Sequence, residues 1–306
     1  MRIVYLGTPD FAVLPLEKIL NETSHEVVAV VTNPDRPVGR KQILTAPPVK
    51  KVALKRGIPV LQYEKIRLEG VEDLKNLKPD IMITCAFGQI LSQEILDIAP
   101  FGVINIHASL LPAYRGASPI HFAILNGENE TGIIIMKTDV GIDTGDILLQ
   151  QSLKIGDDET CGELFDRLSV LGADCIVKAL DLIEKGQAKF VKQDDEKASH
   201  SKIIRKEMAL IDWSKPAQDV VNQIRAFNPA PVAFTYLNGQ PFKIYSAKVC
   251  DLSGKAGEIL RADNELVIGC ADKSISLIKV QKAGGNALEI ADFLRGNKFN
   301  VGDLIG

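Results

Sequence analysis

A doubly wound, mainly parallel α/β sheet followed by a small antiparallel barrel is the fold class that this 306-residue sequence predicts. Three observations carry it. Apolar runs alternate with helix-like segments through the first half, a polar stretch poor in apolar residues follows near residue 190, and short strand-like runs separated by turn signals fill the last part. A hydrophobic content of 46% is ample for packed cores at this length.

The first apolar run, "RIVYLG", passes straight into Gly, Pro and Asp, as a first strand does and a signal peptide does not. "AVLPLEKILNE" then reads as helix, "EVVAVVT" as strand, "PPVKKVALKRG" as helix, "PDIMITCA" as strand, "SQEILDIA" as helix and "GVINIH" as strand. In such a sheet, ligands bind outside the carboxyl ends of the strands, which is where "GVINIH" ends. A second helix-rich stretch, "TCGELFDRLSVLGADCIVKALDLIEKG", leads to the polar run "QDDEKASHSKIIRKE", read as a linker. Past "DWSKPAQDVVNQIRAFNP", the runs "VAFTYL", "PFKIYSAKV", "GEIL", "ELVIGCA" and "SISLIKVQ" predict the barrel. The expected division is residues 1–189, a linker at 190–206, and a second domain of ordinary size at 207–306.

Several function classes are poorly supported. No apolar run is long enough to span a bilayer. "GTPDF" offers only Gly7, and neither a GxGxxG fingerprint nor a Walker A motif occurs, which argues against a nucleotide-dependent dehydrogenase. The five cysteines form no CxxC pair, and their odd number argues against a disulfide framework, so a reducing cytoplasm is expected. Four histidines with no HExxH and no zinc spacing imply no metal. A net charge of -3 argues against coating nucleic acid, so any such contact must be local. From Arg205 onward, 13 Lys or Arg face 11 Asp or Glu, leaving that part slightly positive and the remainder negative.

The stretch "NIHASLLPAYRG", Asn105 to Gly116, is the least like ordinary scaffolding. Alternate strand residues share a face, so Asn105 and His107 project together as a donor beside a titratable group. Downstream, "TDVGIDTGDILL" sets Asp139, Asp143 and Asp146 among glycines at a spacing unlike an EF-hand, as in a loop that places one carboxylate. A carboxylate meeting His107 would fix the imidazole and leave Asn105 to donate to an oxyanion, a set suited to acyl transfer to an amine. Taken singly, a strand histidine is more often a satisfied core residue and a Gly/Asp loop is usually turns.

The pair "NIHASLLPAYRGASPIHFAILNG" and "TDVGIDTGDIL" resembles the signature of the folate-dependent formyltransferases. "GTPDFAVLPLEKIL", "NPDRPVGRKQILTAPPVK", "IDWSKPA" and "ADFLRG" extend the resemblance over the whole chain, towards the branch whose acceptor is methionyl-tRNA. It implies a Rossmann-like catalytic domain and an OB-like C-terminal domain that adds tRNA contacts. It also implies Asn105, His107 and Asp143 as catalytic residues, and Ser109, Leu110, Leu111 and Pro112 as the segment lining the folate site. The implied donor is 10-formyltetrahydrofolate and the implied acceptor the free amine of initiator methionyl-tRNA, with Arg36, Arg40 and Lys41 on the loop that engages the acceptor stem. A monomer is the default. Two rivals share the catalytic residues: a sugar-nucleotide amine formyltransferase and a hydrolase passing formyl to water. A non-catalytic RNA-binding module leaves those residues unexplained. Three departures from the family pattern stand out: after "IRAFNP" it reads Trp-Pro-Gly, whereas Ala230, Pro231 and Val232 stand here; the tRNA loop carries one basic residue fewer; and a lysine near "QKAGGN" is missing.

Overall fold

The computed structural model describes residues 1–39 and 41–306 in two compact units. The first comprises Met1–Pro119, Glu130–Lys154 and Phe165–Ser201; the second comprises Ile120–Asn129, Ile155–Leu164 and Lys202–Gly306.

The chain opens with β1 (Arg2–Gly7), whose residues Ile3 to Leu6 are wholly buried, followed by α1 (Val13–Glu22) and β2 (Glu26–Thr32). A short exposed hairpin, β3 (Arg36–Val38) and β4 (Ile43–Thr45), comes next. Pro48 opens α2 (Pro48–Lys55), a position where a missing N–H costs nothing. Then come β5 (Val60–Gln62), α3 (Ile66–Glu69), α4 (Val71–Leu77), β6 (Ile81–Cys85), α5 (Gln93–Leu96), β7 (Val103–His107) and β8 (Arg115–Gly116). After α6 (Pro119–Leu125), β9 (Glu130–Lys137) and β10 (Ile147–Lys154) return to the sheet, followed by the long α7 (Cys161–Glu184) and by β11 (His200–Ser201).

The central sheet has the order β10-β9-β7-β6-β1-β2-β5. Its members from β7 to β5 run parallel, and β9 and β10 add an antiparallel edge. Strand order reverses between β6 and β1, so the crevice of a doubly wound sheet opens at the carboxyl ends of these strands, next to the end of β7. The predicted alternation is therefore realised. Continuous apolar runs such as "IMITC" are buried on both faces, as parallel strands covered by helices must be.

In the second unit, α8 (Ala217–Ala226) precedes β12 (Phe234–Leu237), β13 (Gln240–Cys250), β14 (Ile259–Ala262), β15 (Leu266–Gly269), β16 (Ser274–Lys282), β17 (Leu288–Glu289) and α9 (Ile290–Gly296). The antiparallel order is β12-β13-β16-β15-β14, with β17 beside β16. Asn238 and Gly239, both at positive φ, make the tight turn between β12 and β13 that an Asn-Gly pair favours. The sheet curls round Trp213, Val220, Ile224, Phe227, Phe242, Ile268, Leu277 and Phe293. Trp213 satisfies its indole N–H on Thr235 Oγ1 at 3.2 Å.

Val232 adopts a left-handed backbone conformation that favours glycine, with φ of 70°. A β-branched residue there is strained by roughly 1–2 kcal/mol. Val232→Gly loses a buried side chain but relieves that strain. It is expected to cost about 1–2 kcal/mol less than Val267→Gly in β15, where no strain is relieved. Denaturant unfolding followed by the fluorescence of Trp213, the single tryptophan, checks this.

Candidate active site

At the carboxyl end of β7, register sets the geometry. Asn105 pairs with Thr84 of β6 on one side and Met136 of β9 on the other, and His107 pairs with Ile134. Ile104 and Ile106 are buried on the opposite face, leaving Asn105 and His107 together, as the alternation predicts. His107 is 5% exposed.

Asp143 comes to this face from the loop between β9 and β10. Its Oδ1 accepts from Asn105 Nδ2 at 3.4 Å, and its Oδ2 lies 3.6 Å from His107 Nδ1. The backbone N–H of Gly116 also donates to Oδ2, at 2.8 Å. The other two acids of "TDVGIDTGD" behave differently. Asp139 accepts from the N–H of Gly141 and the hydroxyl of Thr144, closing a turn, and Asp146 accepts through its backbone carbonyl from Lys137 N–H. Asp143 itself sits at φ 53°, a left-handed conformation that Asp tolerates better than most residues. Gly145 lets the loop pass close to β9: a Cβ there would lie 1.8 Å from the carbonyl oxygen of Lys137.

Thr84 Oγ1 donates to Asn105 Oδ1 at 2.9 Å, which turns the amide so that its NH₂ points towards Asp143. One of the two amide hydrogens meets Asp143, and the second is available to another acceptor. His107 Nε2 lies 3.2 Å from the carbonyl oxygen of Tyr114. Both ring nitrogens therefore face oxygen atoms, which fixes the orientation of the ring. Cys85, at the neighbouring end of β6, is no nucleophile here: burial pushes its thiol up to about 12.

Beyond His107, the chain folds back on itself. Ser109 is fully buried and donates to the carbonyl of Ala113 at 2.7 Å, and Leu111 packs with Ile134 and Met136. Leu110 and Pro112 are half-buried. Arg115 is 4% exposed, with its guanidinium bonded to Gln193 and Asp195. Arg36 and Lys41 lie elsewhere, on the exposed β3–β4 hairpin, where Arg36 pairs with Glu64; Arg40 lies outside the described residues. The structure thus gathers Asn105, His107 and Asp143 at one point with Ser109 to Pro112 beside them in the chain, and keeps the basic residues on a separate surface feature. Thr84, the Gly116 N–H, the Tyr114 carbonyl and Gln193 were not singled out from sequence. Of these, two act through the backbone, and Gln193 lies in a stretch whose polarity reads as linker.

Residues 1–180 match the family profile described as formyl transferase, and residues 203–298 match that of the formyl transferase C-terminal domain. The chain belongs to the formyl transferase family. Among its relatives, the methionyl-tRNA formyltransferase of Ruminiclostridium cellulolyticum is 45% identical with all of both chains covered. That of Geobacter sulfurreducens is 46% identical, covering 100% of this chain and 97% of the relative. The fold is shared with solved structures of lower identity. The N-formyltransferase of Helicobacter canadensis, in complex with folinic acid and dTDP-3-aminofucose, aligns with a TM-score of 0.69 at 24% identity, covering 92% of this chain and 98% of that one. HypX of Aquifex aeolicus, in complex with tetrahydrofolic acid, aligns with a TM-score of 0.64 at 18% identity, over 100% of this chain and 50% of that one. Among the described residues no group of side chains could hold a metal ion, and no helix is long and apolar enough to cross a membrane.

Proposed function

We propose that this chain transfers the formyl group of 10-formyltetrahydrofolate to the free α-amine of initiator methionyl-tRNA, in the cytoplasm, with Asn105, His107 and Asp143 as the catalytic residues. The observation that carries the reading is the convergence of one carboxylate, Asp143, on both Asn105 and His107, at 3.4 and 3.6 Å, in a chain whose full-length relatives bear that activity in their names.

The folate supplies a formyl group on a nitrogen that can leave, and the amine of the aminoacyl-tRNA attacks it. The donor set fits that group. Asn105 has an amide hydrogen to give to an oxygen that gains negative charge as the amine attacks, and Thr84 holds the amide in that orientation. His107 brings its imidazole next to the same charge. Asp143 holds that ring and, with it, moves a proton from the attacking amine towards the leaving nitrogen. With Ser109 and Leu111 turned into the protein, this segment offers a folate its backbone and the half-buried Leu110 and Pro112. No covalent enzyme intermediate is required.

The β3–β4 hairpin is the proposed contact with the acceptor stem, through Arg36, Arg40 and Lys41. The exposed Arg36–Glu64 pair is worth little in water and yields readily to a phosphate. Three phosphate contacts predict a slope of log affinity against log salt of about -2 to -3, a fall of roughly 10- to 100-fold between 50 and 200 mM salt. Filter binding of methionyl-tRNA over that range measures it, and a flat response removes the hairpin from the interface.

The decisive assay follows labelled formyl from 10-formyltetrahydrofolate to methionyl-tRNA, a sugar-nucleotide amine or water. Transfer to methionyl-tRNA alone is expected. Transfer to the sugar-nucleotide amine, or release to water as the main product, overturns the acceptor assignment while retaining the chemistry.

A further inference from the structure

Outside the three proposed catalytic residues, one half-buried amide joins the site to the segment that follows α7. Gln193 Nε2 donates two hydrogen bonds, to the backbone carbonyls of Asp143 and Gly145, each at 2.8 Å. Its Oε1 accepts two, from Arg115 Nε at 3.1 Å and Nη2 at 2.8 Å. All four polar positions of the side chain are thereby used, and every donor and acceptor points the correct way. Arg115 is held in turn by Asp195, at 2.6 Å.

The rest of the segment is tied to the other side of the site. Ser199 accepts from Tyr114 N–H through its hydroxyl, and its N–H donates to the Pro112 carbonyl. β11 lies parallel to β8 and pairs His200 with Arg115 and Ser201 with Gly116. Gly116, at φ 109°, makes this close approach possible: a Cβ there would lie 2.5 Å from the carbonyl of Ser201. Residues 193–201 thus grip both the Tyr114 backbone that faces His107 and the loop that carries Asp143.

We propose that Gln193 is a positioning residue for formyl transfer, fixing the backbone of Asp143 so that its carboxylate reaches Asn105 and His107 together. The proposal rests on the catalytic reading of Asp143 given above. Asp143 sits at positive φ after the exposed Val140 and Ile142, and to the Asp139 turn and the Gly116 N–H contact the two Gln193 bonds add a restraint on its own backbone from outside the loop. An error of about 1 Å in a catalytic group can lower a rate roughly 100-fold.

The test is Gln193→Glu in the full chain. Beside Arg115 the new carboxylate keeps the guanidinium contact and gains charge, but it has no hydrogen to give the two carbonyls. The expected result is a fall in kcat of about 10- to 100-fold, up to the loss that a misplacement of about 1 Å brings, with KM for both substrates within about threefold. Gln193→Ala should in addition cost no further activity when Asp143 is already alanine, because the two act through one group. A kcat within about twofold of the parent, with Asn105→Ala and His107→Ala both impaired, overturns the positioning role and leaves the site intact. Equal activity of all these variants instead overturns the reading of the site. An additive loss in the double variant assigns Gln193 a merely structural part and also overturns the proposal.

Discussion

Replacing His107 by alanine is expected to lower kcat for formyl transfer by about 100- to 10,000-fold, the range for loss of a positioned acid-base group. The size of the effect follows from its surroundings. The ring is nearly buried, its Nδ1 faces the Asp143 carboxylate and its Nε2 faces the Tyr114 carbonyl, so water cannot easily stand in for it. KM for the folate should change far less than kcat, because the ring acts on charge that exists only as the amine attacks. Steady-state kinetics with saturating methionyl-tRNA separates the two. A loss confined to KM would make His107 a binding residue and remove it from the proton path. Some loss of thermal stability is expected as well, since truncating a nearly buried ring leaves a cavity.

Asn105→Ala is expected to cost about 100- to 1000-fold in kcat, as removal of one donor to a developing oxyanion does elsewhere. Asn105→Asp makes a sharper comparison. Its volume is nearly that of asparagine, but it replaces the donor with a second carboxylate beside Asp143, whose Oδ1 now receives a hydrogen bond from the Asn105 amide. Two like charges at that separation repel, and one takes up a proton or moves away. The aspartate variant should therefore be at least as slow as the alanine variant at neutral pH and should recover part of the difference as the pH falls and one carboxyl is protonated. A pH profile of kcat for the two variants measures this. An aspartate variant faster than alanine at neutral pH would mean that the amide hydrogen is not what position 105 supplies.

The parts of this protein most legible in its sequence are those with a period. Alternation between apolar runs and helix-like segments announced a doubly wound sheet, because strands and helices repeat their apolar residues at different intervals. The same logic puts Asn105 and His107 on one face of a strand. The turn signals between the C-terminal runs likewise pointed to short antiparallel strands. "DRPVGRKQ" reads as a loop, yet it begins a two-stranded hairpin, because Gly39 at φ 71° turns the chain and lets two three-residue strands pair in the open. Gln193 was illegible for a different reason. It lies among Lys, Asp, Glu and Ser, a composition that predicts solvated chain, and a side chain that works by bonding distant carbonyls leaves no local pattern.

The sequence by itself determined the alternation of strands and helices, which residue types would share one face of β7, and the family to which the chain belongs, since each of these is a matter of local order along the chain. The loop's own residues left the carboxylate open and the family resemblance pointed to Asp143; only the tertiary structure supplies the physical reason that this one meets Asn105 and His107. Asp139, Asp143 and Asp146 look alike in "TDVGIDTGD", but a loop passing close to β9 at Gly145 brings Asp143 to Asn105 and His107 and uses Asp139 in a turn. Contacts between residues nearly 40 positions apart depend on how strands pair and where loops are held, and no period in the sequence encodes that.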